Sequence, residues 1–169
     1  MDYLQQQKLD DLFFEADALI KEKRFTEAVS TLEVLLIEAP DFGKAYNHLG
    51  WIYETQYRDK VKAEDFYRKC IAYSPEYTAV YLNLSITLSG LGKYDEQEKL
   101  LQQALTIQGI DQPGMHNELG ILHELRGDFD KAIASYRQAV MLTLIDTNLD
   151  IYMASIERCK KKKNILSNI

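Results

Sequence analysis

The sequence predicts an all-α protein built as a stack of antiparallel helix pairs, and three observations carry that prediction. The stretch YNHLGWIY at residues 46–53 returns as YLNLSITL at 81–88 and as HNELGILH at 116–123, an offset of 35 residues each time. A fixed offset of that size marks one supersecondary unit copied along a chain. Between these stretches, Phe25, Ala28, Val29, Leu32, Leu35 and Leu36 share their spacing with Phe129, Ala132, Ile133, Tyr136, Ala139 and Val140. Steps of three, one, three, three and one place all six on one helix face, where a strand would scatter them to both. Pro40 and Pro75 close the second helices of two copies, and Gly92 and Gly127 supply the turn between the helices of two others.

Taken in order, the helices are expected near 9–21, 25–38, 43–56, 60–73, 77–90, 94–107, 113–125, 129–143 and 147–161. Connections of a few residues make neighbours antiparallel. The copies run over about 9–42, 43–77, 78–112 and 113–146, followed by a capping helix at about 147–161 and a flexible tail at 162–169, all within a single domain of 169 residues. No helix pair buries its apolar face alone, so each copy is stabilised by its neighbours.

Composition limits the partners. The chain is 46% hydrophobic and 27% charged, as in ordinary globular proteins, and carries a net charge of −6. An acidic surface argues against a nucleic acid, whose phosphates need clustered Lys and Arg. The basic run Lys160–Lys163 falls at the end of the last expected helix, where the helix dipole favours hydrated cations. No run approaches the 18 apolar residues of a membrane span, and the acidic start MDYLQQQKLDD lacks the pattern of a secretion signal. Cys70 and Cys159 have neither zinc nor disulfide-framework spacing, so a cytoplasmic protein is expected.

The copies resemble the tetratricopeptide repeat, whose unit of about 34 residues has a W-x2-L-G-x2-Y, A-x3-F, P pattern. The second copy carries it in Tyr46, Leu49, Gly50, Tyr53, Ala63, Tyr67 and Pro75, and the fourth in His116, Leu119, Gly120, His123, Ala132 and Tyr136. The third has Ser85 at the glycine and Gln97 at the alanine position, and the first has Glu15 where leucine belongs. The resemblance implies a right-handed superhelical solenoid with a concave groove, and Gly50 and Gly120 lying where two helices approach closely. It also implies that Tyr53 packs inward while Trp51, two residues earlier, faces the groove.

Catalysis finds no support in the residues. There is no G-x-S-x-G, P-loop, G-x-G-x-x-G or H-E-x-x-H motif. His116 and His123 stand about 10 Å apart along a helix axis, too far to share one metal, and they occupy aromatic packing positions of the repeat. His48 has no partner assigned by the sequence. No cofactor and no metal is expected, and the remaining activity is recognition.

A second stripe lies about 130° around each first helix from the packed face. It includes Phe13, Asp17 and Ile20, then Lys44, Asn47, Trp51 and Glu54, then Leu82 and Ile86, then Asn117, Ile121 and Glu124. In relatives this stripe lines the groove, so a non-catalytic interaction module is expected, with a protein or peptide partner and with Asn47 and Asn117 able to pin its backbone. The same apolar residues also suit packing of repeat on repeat. One subclass of the family clamps the terminal carboxylate of heat-shock chaperones with Lys, Asn and Arg; the matching positions here are Phe13, Asp17, His48, Ala79 and Asn83, which do not preserve that clamp. Two other readings stay open: a self-assembling structural subunit, hence a homo-oligomer, and a regulatory domain acting beside an enzyme.

Overall fold

The computed structural model describes residues 3–167, and among them every regular element is an α-helix. The helices are α1 (Tyr3–Lys21), α2 (Phe25–Glu38), α3 (Gly43–Thr55), α4 (Lys60–Tyr73), α5 (Ala79–Gly90), α6 (Tyr94–Ala104), α7 (Gln112–Leu125), α8 (Phe129–Leu142) and α9 (Asp146–Ser167). The chain divides within α5 into two compact units, Met1–Thr87 and Leu88–Ile169. None of the described helices is long and apolar enough to cross a membrane.

In the first unit α1 pairs with α2 and α3 with α4. Their shared core holds Leu9, Ala16 and Leu19 of α1, Ala28, Leu32 and Leu35 of α2, and Ala45, Leu49 and Ile52 of α3. In the second unit α7 pairs with α8, and α9 closes over α8 through Ala132, Tyr136, Ile156 and Cys159. The six-residue pattern that predicted α2 and α8 is the face each turns to its neighbours.

The turn inside each helix pair contains a left-handed residue, and the α3–α4 turn is one residue longer than the others. Lys23 and Arg58 adopt φ of 62° and 57°, Gly92 and Gly127 φ of 71° and 80°. The next residue donates its backbone N–H to a carbonyl near the end of the first helix: Arg24 to Leu19, Asp59 to Tyr53, Lys93 to Leu88 and Asp128 to His123, all at 2.9 Å. These bonds satisfy carbonyls that the helix end would leave open. Glycine adopts the left-handed conformation freely; Lys23 and Arg58 adopt it at a cost of about 1 kcal/mol each.

Between copies a tyrosine hydroxyl fixes the corner. Tyr46 donates to the carbonyl of Pro40 at 2.9 Å, and Tyr81 repeats the bond to Pro75 at 2.8 Å. The first aromatic of the signature therefore holds the turn in which the preceding copy ends.

Helix bounds differ from expectation by three residues or more at three places. α1 begins at Tyr3 rather than 9, because YLQQQK is made of good helix formers that need no burial. α6 stops at Ala104 rather than 107, where the Thr106 hydroxyl donates to the carbonyl of Gln103 and Gln112 donates to that of Leu105. α9 continues to Ser167, so residues 162–167 are helical and not a flexible tail; Lys162 reaches Glu124 at 2.7 Å and Lys163 pairs with Asp130. The last two residues assigned to that tail, 168 and 169, lie outside the described ones.

Gly50 and Gly120 mark close helix approaches. A Cβ on Gly50 would stand 2.6 Å from the ring of Tyr67, and one on Gly120 would stand 2.5 Å from the ring of Tyr136. Both tyrosines are fully buried, and each ring is fixed at its far end by a hydroxyl bond to a carboxylate, Tyr67 to Glu54 and Tyr136 to Glu124. Gly120→Ala is expected to lower stability by about 1–2 kcal/mol, because overpacking against a pinned ring outweighs the better helix propensity of alanine. Urea unfolding measures this; an unchanged or raised midpoint would mean that the α7–α8 spacing is not set by this contact.

Candidate functional site

Within the first unit the first-helix stripe is tied together by side chains. Asp17 on α1 meets His48 on α3, with Oδ1 and Nε2 3.5 Å apart, and is also paired with Lys21 at 2.6 Å. The Phe13 ring lies 4.7 Å from the His48 ring and 5.4 Å from that of Phe42. One step along, the Asn83 amide of α5 donates to Oδ1 of Asn47 at 3.0 Å. Three positions of the chaperone clamp, Phe13, Asp17 and His48, are thus engaged with one another, Asn83 is bonded to Asn47 instead, and Asp17 has a countercharge in Lys21.

Between these ties lies a cavity of about 100 Å³ lined by Ile20, Asn47, His48 and Trp51. Trp51 is half-buried, its ring 6.2 Å from that of Phe25 on α2, so one side packs against the core while the other walls the cavity. Tyr53 is also half-buried: its hydroxyl accepts from Lys62 at 2.9 Å and its ring packs edge-on against Tyr57. The expected contrast of wet tryptophan and buried tyrosine does not hold, because α3 turns each ring to a different edge of the helix pair.

The other stripe residues separate into open and engaged. Ile86 is 47% exposed and Leu82 half-buried, while Lys44 is exposed, 5.9 Å above the Tyr77 ring. Asn47 is 7% exposed and its amide oxygen is occupied by Asn83, so that oxygen does not pin a partner's backbone. Glu54 is half-buried and accepts from the Tyr67 hydroxyl at 3.1 Å.

In the second unit Asn117 and Ile121 are half-buried, and Ile121 packs on the cluster that includes Ile156 and Cys159 of α9. The Glu124 side chain is 8% exposed and accepts from Arg158 at 2.7 and 2.8 Å, from Lys162 at 2.7 Å and from Tyr136 at 2.9 Å. Led by the Arg158 guanidinium, these donors hold its carboxyl far below the usual carboxylate range. Glu124 anchors α9 and is not open to a partner, because cations 34 and 38 residues later reach it.

His48 and Asn83 carry more of the site than the sequence shows. Their partners lie 31 and 36 residues away, and only the repeat offset hints at such proximity. The two cysteines are buried thiols, Cys70 pushed up to about 12 and Cys159 to about 11 by desolvation, so neither is a ready nucleophile. Among the described residues no three His, Cys, Asp or Glu side chains are grouped to hold a metal.

Burial holds the His48 imidazole below its ordinary value of 6.5, against the pull of Asp17. The unfolded chain therefore binds the proton first, and stability is lost as pH falls from about 6.5 toward the folded value. Burial lowers His116 and His123 as well, with the same sign. Urea midpoints are expected to fall between pH 7.5 and 5.5 in the wild type and to fall less in His48→Gln; equal slopes would place the His48 ring in water.

Three tetratricopeptide-repeat models match the chain, over residues 43–77, 78–108 and 116–148, together more than half its length. No curated protein matches it. Among solved structures it is similar to the MamA protein, with a TM-score of 0.79 at 16% identity, covering 96% of this chain and 86% of that one. TTC0263, a thermophilic TPR protein of Thermus thermophilus, matches with a TM-score of 0.63 at 23% identity, over 88% and 81% of the two chains. PilW, described as a widely conserved type IV pilus biogenesis factor, matches with a TM-score of 0.67 at 17% identity, over 93% and 76%. At these identities the structures share the fold, and the repeat models supply the membership: the all-α chain, with its 35-residue recurrence and its glycine-on-tyrosine helix pairs, belongs to the tetratricopeptide-repeat family.

Proposed function

We propose that the chain is a non-catalytic protein-interaction module that takes an extended or helical peptide on the first-helix stripe of its N-terminal unit. The observation that carries this reading is the cavity of about 100 Å³ bounded by Ile20, Asn47, His48 and Trp51. It is walled by an aromatic ring that the core leaves half open, and a tryptophan beside a small apolar recess is a favoured anchor for a partner's side chain. Nearby, Ile86 and Leu82 extend the apolar surface, and Lys44 supplies a charge at the rim. In this reading the repeats divide near 9–42, 43–77, 78–112 and 113–146, and α9 serves as the cap.

Random peptides displayed on phage and selected on the immobilised protein supply a probe whose binding is read by fluorescence polarisation. Ile20→Phe fills the recess, and Trp51→Ala removes its wall at a stability cost of about 1–2 kcal/mol, set by the half of the ring that packs on Phe25. Both variants are expected to weaken binding at least tenfold while remaining helical by circular dichroism. Undiminished binding by both would contradict the assignment of the stripe.

A further inference from the structure

The two units contain the same arrangement of glycine, tyrosine and carboxylate, filled differently. In the second unit Gly120 lies against Tyr136, whose hydroxyl donates to Glu124; in the first, Gly50 lies against Tyr67, whose hydroxyl donates to Glu54. Glu124 is completed by cations from the chain itself: Arg158 donates to both its oxygens, and Lys162, one turn on, donates to Oε1. Such a paired guanidinium contact is among the stronger hydrogen-bonded ion pairs. Beside it Ile156 of the same helix packs in the cluster that Ile121 joins. α9 thus presents an apolar residue and, two and six residues later, two cations.

Glu54 has no such completion. Its Oε2 accepts from Tyr67, and among the described residues it meets no lysine or arginine within ion-pair distance. It lies three residues after Trp51, next to it on the α3 surface, as Glu124 lies three residues after Ile121. By contrast Asp17, the other carboxylate of this stripe, is already balanced by Lys21 and faces the His48 ring.

We infer that Glu54 receives an arginine or lysine of the partner, so that the peptide taken by this stripe carries a basic residue within two turns of the apolar side chain that enters the Ile20–Trp51 recess. The inference rests on the peptide-binding reading of that stripe and narrows the partner to a basic, apolar segment. The net charge of −6 favours the approach of such a segment.

The test uses synthetic twelve-residue peptides on a neutral Ala/Gln background, each with one leucine and, at offsets of one to six residues, Arg, Gln or Glu. Affinities for the full chain are read by fluorescence polarisation at low and at high salt. At the best offset, Arg is expected to bind about tenfold tighter than Gln, with Glu weaker still and the Arg advantage shrinking in high salt. Glu54→Gln, which keeps an acceptor for the Tyr67 hydroxyl, is expected to abolish the preference for Arg while leaving the leucine dependence intact; its fold is verified by thermal melting. Equal binding of Arg and Gln peptides, with leucine and Trp51 still required, overturns the inference and leaves the groove reading standing. An Arg preference that persists in Glu54→Gln overturns it also, by placing the cation elsewhere. Absence of binding by every peptide overturns both.

Discussion

A tyrosine ring pressed onto a glycine is the contact on which the rest of the structure depends. Where Gly50 meets Tyr67 and Gly120 meets Tyr136, two helices come closer than any side chain on the first would allow. The ring is held at both ends, by backbone on one side and by a hydroxyl bond to Glu54 or Glu124 on the other. A fixed spacing within the pair leaves the second face of each first helix at a set distance from its neighbour. Packing inside a copy therefore determines what geometry remains between copies.

Between copies, polar ties are added to the apolar core that joins α1 and α2 to α3. Tyr46 and Tyr81 hold the corners after Pro40 and Pro75, while Asp17–His48 and Asn47–Asn83 tie successive first helices in the N-terminal unit. Polar ties of this kind favour one register because a slip would break each of them. They also leave the apolar space beside them incompletely filled, and the recess at Trp51 is that space. Recognition in this reading uses the volume left over when polar side chains, rather than bulky apolar ones, join one repeat to the next.

Much of the fold was legible in the sequence because its signals are local. The bounds of α2 and α4 follow from apolar spacing ended by Pro40 and Pro75, and the glycines at 92 and 127 mark turns whose positive φ the structure shows. Lys23 and Arg58 take that conformation without the glycine that would announce it. The start of α1 and the end of α9 were hidden because no apolar period supports them; propensity and ion pairs extend both. At the candidate site the stripe can be named from the repeat spacing, whereas the engagement of its residues depends on partners 31 and 36 residues away. Glu54 and Glu124 hold the same position in the repeat pattern, yet only α9 supplies cations to complete one of them.

The state of the Trp51 ring separates the two uses of the stripe most directly. Trp51 is the single tryptophan, so intrinsic fluorescence and acrylamide quenching report on the recess alone. The account predicts a ring partly accessible to quencher in the free protein, becoming shielded and blue-shifted when a selected peptide is bound. A ring already fully shielded in the free protein, and unchanged by peptide, would show that repeat packing consumes the stripe and would contradict the account.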